Sequence, residues 1–110
     1  MNRTLQLDLA DTRHKGAVAG QVVLGVAVAA GLPPLAASRQ ARAVRSLCDA
    51  LPGGLRLSAR EEPDGARTIA IDAPGAGSGD LPPAAAEVLG ASIDGRELVF
   101  VLRRPPLRSR

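Results

Sequence analysis

Residues 16–32 form a run in which Gln21 is the single polar side chain. Any fold of this chain must keep most of that segment out of water. Two environments can do so, a bilayer or a protein core. A bilayer span needs about 20 strongly apolar residues. This run is mostly Ala, Gly and Val, with few Leu and no Phe, and each Val or Leu gains only about 0.3–0.6 kcal/mol on insertion. Asp8 and Asp11, in a long charged leader, argue against a secretory signal. The expectation is a buried core helix ending near Ala30, with Gly16 and Gly20 making close helix–sheet contacts. A small membrane-anchored protein held by 16–32 is the alternative.

The flanking residues place this helix in an α/β order. Residues 4–9 alternate, with Leu5, Leu7 and Leu9 on one face, as in a half-buried strand. Asp11 or Thr12 is positioned to cap the helix that follows, and Gly31 with Pro33-Pro34 stops it. A second helix over 35–51 aligns Ala37, Ala41, Val44, Cys48 and Leu51 in one apolar stripe. Its opposite side carries Ser38, Arg39, Arg42, Arg45, Ser46 and Asp49. Leu55, Leu57 and Ala59 begin a hairpin that turns at 61–65 and returns over 68–72, with Ile69 and Ile71 inward. A Gly- and Pro-rich loop over 73–80 leads to a short helix over 82–89. The chain turns at Asp94-Gly95, and 97–102 form a last strand whose continuous apolar centre predicts a well-covered position. The order β-α-α-β-β-α-β predicts an α/β (α+β) two-layer sandwich, a four-stranded mixed sheet with helices on one face. One domain spans 1–102, and 103–110 form a basic Pro/Arg tail expected to fray.

Composition narrows the function. Phe100 is the sole aromatic residue, so the core is built from Ala, Val, Leu and Ile and is expected to be of modest stability. Without rings there is no stacking platform for single-stranded nucleic acid. Thirteen Arg stand beside Lys15 alone, and the net charge is +3. Abundant Ala, Gly, Pro and Arg fit a high-GC bacterial gene, so the charge by itself implies no nucleic-acid partner. Cys48 is the one cysteine and His14 the one histidine. They can close neither a disulfide nor a zinc site, and no metal site is expected. A single thiol fits a reducing cytoplasm.

The run Ile71-Asp72-Ala73-Pro74-Gly75-Ala76-Gly77 leaves a strand into a glycine loop. Together with the element order over roughly 5–102, it resembles the small GHKL (Bergerat-fold) ATPase-like domains, in particular bacterial anti-sigma factors and serine kinases. The resemblance implies that Asp72 accepts a hydrogen bond from the adenine amino group and that Gly75 and Gly77 belong to the first glycine box. It also implies a Glu and, four residues later, an Asn on the second helix, for phosphoryl transfer and magnesium. Here those positions are Ser46 and Ala50, or Arg45 and Asp49. Arg45 cannot act as a base at neutral pH, whereas Asp49 is an oxygen ligand suited to a hard cation. The glycines stand one place later than in the family's Asp-x-Gly-x-Gly box, Pro74 removes a backbone donor, and 78–81 leave no room for a lid.

These readings give no catalytic residue. The cofactor set, if nucleotide binds, is Asp72, Gly75, Gly77 and Asp49, with ATP and magnesium as ligands; otherwise no cofactor is expected. Read without the resemblance, Asp72 is a turn residue bonding its own backbone, and the glycines are a flexible connection. Arg39, Arg42 and Arg45 recur at steps of three on one helical face, either as a solvated surface or as a docking surface for an acidic partner or for nucleic acid; without aromatics or a base-reading motif, a protein is favoured over DNA. The expectation is a non-catalytic, cytoplasmic regulatory module that binds protein: a sigma factor, an antagonist, a kinase-like domain or a second copy of itself. A divergent ATP-binding serine kinase is the enzymatic alternative.

Overall fold

The computed structural model describes residues 4–75, 87–94 and 97–105, with the side chains of Ile93 and Asp94 left aside. The elements are β1 (Thr4–Leu9), α1 (Lys15–Ala29), α2 (Pro34–Ala50), β2 (Leu55–Glu61), β3 (Arg67–Asp72), β4 (Ser92–Asp94) and β5 (Glu97–Leu102). They form the expected α+β sandwich, one sheet with the α1–α2 pair packed on one face. The expected third helix is seen as a helical turn at 87–89; its first residues lie outside the described ones.

Among the described residues the sheet has five strands, in the order β1-β2-β3-β5-β4, and every neighbouring pair is antiparallel. The expected mixed sheet is thus corrected. Two antiparallel helices of similar length carry the chain out and back, so β2 starts where β1 ended, with Leu9 opposite Leu55. The added strand is β4, three residues paired with Val99, Leu98 and Glu97. It is too short for alternation to reveal it.

Period-two alternation decides what each strand buries. Leu55, Leu57 and Ala59, then Ile69 and Ile71, then Leu98, Phe100 and Leu102 all point into the core beneath the helices. The opposite face carries Arg56, Ser58 and Arg60 on β2 and Thr68, Ala70 and Asp72 on β3. No described helix covers it. On β5 this corrects the expectation of a well-covered position: Val99 is half-buried and Val101 is 48% exposed on the open face.

The helical layer also differs from expectation. Ala19, Val23 and Ala27 of α1 are fully buried, but Val18 and Val28 are 42% and 59% exposed. α1 is an outer helix that buries one side and leaves an apolar side in solvent. Among the described residues, no helix is long and apolar enough to cross a membrane. His14, not Asp11 or Thr12, is the N-cap, and it makes no side-chain capping bond. The Thr12 hydroxyl instead accepts a hydrogen bond from the His14 N–H, at 3.3 Å. Gly31 ends the helix in the left-handed region, with φ of +92°. On α2, Ala37, Val44 and Cys48 are buried as the stripe predicts; Leu47 joins them and Ala41 is only half-buried.

Gly16 and Gly20 bring α1 against α2 rather than against the sheet. A Cβ on Gly16 would lie 2.0 Å from Asp49 Oδ1 and 2.7 Å from the Arg45 carbonyl oxygen, and one on Gly20 would lie 3.1 Å from the Ala41 carbonyl oxygen. The Asp49 carboxylate can swing aside; the Arg45 backbone cannot. Gly16→Ala is therefore expected to push the helices apart and cost about 1–3 kcal/mol. Urea denaturation with an unchanged m-value would show it. A neutral result would mean that the two helices slide past each other freely.

The start of the last segment packs on the body. Arg103 reaches Asp64 at 3.3 Å, and the Arg104 side chain lies over Gly31. The rest of the tail lies outside the described residues.

Candidate functional site

Lys15 organises the end of the molecule where α1 begins, α2 ends and β2 starts. It is 5% exposed, the one buried charged residue among those described. Its ammonium donates to Asp11 Oδ1 at 3.0 Å, to the Gly53 carbonyl at 2.9 Å and to the Leu51 carbonyl. Three N–H donors meet three oxygens, which suits a compact ammonium better than a planar guanidinium. The clue was in the sequence: one Lys among thirteen Arg.

The residues of the expected nucleotide site reach this same end of the domain, but the sheet divides them. Asp49 is exposed on the last turn of α2, beside Lys15 and Gly16, and pairs with Arg45 at 4.0 Å. That i, i+4 pair was legible from the spacing. Gly75 packs on the loop after α2, where an added Cβ would lie 3.4 Å from the Pro52 carbonyl oxygen. Asp72 follows inward-facing Ile71 and so stands on the open face. There it lies in register between Arg56 and Glu97, and Arg56 bonds Asp8 on the next strand at 2.8 Å. Gly77 lies outside the described residues. Among the described residues, no three His, Cys, Asp or Glu side chains are grouped to hold a metal ion.

Cys48 lies wholly inside the core. Burial, with the Asp49 charge beside it, pushes its thiol up to about 12, and Lys15 offsets only part of this. At neutral pH it is an inert apolar group.

The outer side of the helical layer presents a more coherent surface. Arg39, Arg42 and Arg45 are all exposed. Leu35 precedes Arg39 by four residues and Arg42 by seven, so it shares their face, and it is 85% exposed. A shallow groove of about 190 Å3 runs beside them between α1 and α2, floored by Ala17, Gly20, Leu24 and Ala41 and rimmed by Arg42 and Arg45. Sequence reasoning found the arginines but missed Leu35, because an apolar residue next to Pro34 reads as part of the helix start. Comparison of the chain with protein-family models, curated proteins and solved structures returns no match.

Proposed function

We propose that this domain is a non-catalytic regulatory module that works in the cytoplasm by binding an acidic protein partner through α2. The observation that supports this reading is the outward face made by Leu35, Arg39, Arg42 and Arg45. Arginine is enriched at protein interfaces and among their energetic anchors, and the exposed Leu35 gives this charged face an apolar contact to bury. The likeness to anti-sigma and kinase-like regulators narrows the partner to a sigma factor, an antagonist or a kinase-like domain. Division of Asp72 from Asp49 by the sheet favours binding over phosphoryl transfer.

The test is a photo-crosslinking amino acid at Ser38, beside Arg39, in cells that make this protein. The expected product joins α2 to an Asp/Glu-rich segment of one protein. Arg39→Glu with Arg42→Glu should weaken that complex more than about tenfold, because each reversed rim charge adds repulsion as well as removing attraction. Reversing acidic residues on the partner should restore it. Cross-linking that is indifferent to both changes would overturn the reading.

A further inference from the structure

We infer that two copies of this chain associate edge to edge through β1, joining their sheets into one across a two-fold axis. The inference rests on a different surface from the α2 face. β1 ends the sheet, and no described segment pairs with its outer edge. It is six residues long and has neither Pro nor Lys, and its one charge, Asp8, is paired with Arg56 of the same chain, so little of what usually blunts an exposed edge is present. The other edge strand, β4, has only three residues.

The side chains of β1 point to what fits there. Leu5 is 50% exposed and Leu7 and Leu9 are half-buried, so the chain's own helices leave these leucines incompletely covered. Beside them a groove of about 410 Å3 runs between β1 and α1, lined on its apolar side by Leu5, Val22, Gly25, Val26 and Ala29 and bounded by the polar Gln21, Glu61 and Arg67. The solvent side of α1 thus continues the apolar surface of the strand edge.

β1 is self-complementary. A two-fold axis perpendicular to the sheet pairs residues of equal parity, so leucine always meets leucine. With Gln6 at the axis, Leu5 faces Leu7 and Thr4 faces Asp8; with Leu7 at the axis, Leu5 faces Leu9 and Gln6 faces Asp8. Neither register opposes like charges, and both keep each Asp8 beside its own Arg56, at 2.8 Å. Both also place the two α1 helices on the same side of the joined sheet, apolar side to apolar side. A one-residue slip would break the symmetry and set leucine against Gln6 or Asp8. The strip on each copy is about 20 Å long by strand geometry. A strip of that length belongs with the weak, transient interfaces, which bury less than about 1,200 Å2 over both copies. The dimer is accordingly concentration-dependent.

Sedimentation of the purified full chain from micromolar to millimolar concentration should show a monomer–dimer equilibrium. Leu5→Asp should raise the dissociation constant more than about tenfold, since each copy loses a buried leucine. A spin label on Gln6→Cys gives a readout that does not depend on that variant folding. Gln6 is exposed and buried Cys48 takes no label. In either register the two labels should lie within about 20 Å, as opposite or diagonal residues are about 5–8 Å apart before the label arms are added. A monomer at every concentration, or a dimer with Gln6 labels farther apart, would overturn the inference.

Discussion

Phe100→Ala is expected to lower the free energy of unfolding by about 3–5 kcal/mol. Among the described residues Phe100 is the largest fully buried side chain, and it is the only Phe, Tyr or Trp in the chain. It stands on the second-last inward position of β5, opposite Ile69 on β3, in a core otherwise made of Ala, Val, Leu, Ile and one Cys. Small residues cannot collapse into the space a ring leaves, so the cavity cost adds to the lost transfer free energy. In a domain whose total stability is about 5–15 kcal/mol, that loss takes much of the margin. Phe100→Leu keeps most of the volume and should cost less than about 1.5 kcal/mol. Guanidinium or thermal unfolding of both variants tests this. Equal and small losses would mean that Phe100 sits in a loosely packed site.

Lys15→Met is expected to cost about 2–4 kcal/mol, with Lys15→Arg little better. Methionine fills the space of the lysine stem but leaves the Leu51 and Gly53 carbonyls without their donor, and an unsatisfied buried polar group costs about 1–3 kcal/mol. The Asp11 pair adds little, because that carboxylate is 63% exposed. Arginine keeps the charge but cannot place three donors on three converging oxygens. Hydrogen exchange would locate the effect: amides at the end of α2 and the start of β2 should lose protection before those of β3. Uniform loss of protection would mean that Lys15 contributes to the core at large and pins no particular loop.

Those two residues mark what could be read before the fold was known. Strict alternation exposed β1, β2 and β3, and the α2 stripe showed its buried side, because period and burial are the same fact in those elements. Sheet direction was not legible, since it depends on the return path of an α-helical hairpin and not on any strand's own residues. β4 was not legible because three residues carry no period. The apolar run of α1 misled in one respect. Its uniform hydrophobicity reads as complete burial, yet Val18 and Val28 face solvent, and only the fold shows which side is left uncovered. For Asp72, the sequence marks the end of a strand, but parity with Ile69 and Ile71 decides the face. That parity sends it away from Asp49.

The proposed module binds protein and holds no nucleotide. Calorimetric titration with ATP and ADP, with and without magnesium, tests this most directly on protein shown to be folded by circular dichroism. The expected result is no saturable heat at high nucleotide concentration and no difference between the native chain and Asp72→Ala. Saturable binding that disappears in Asp72→Ala would contradict the proposal and restore the glycine loop as a nucleotide site.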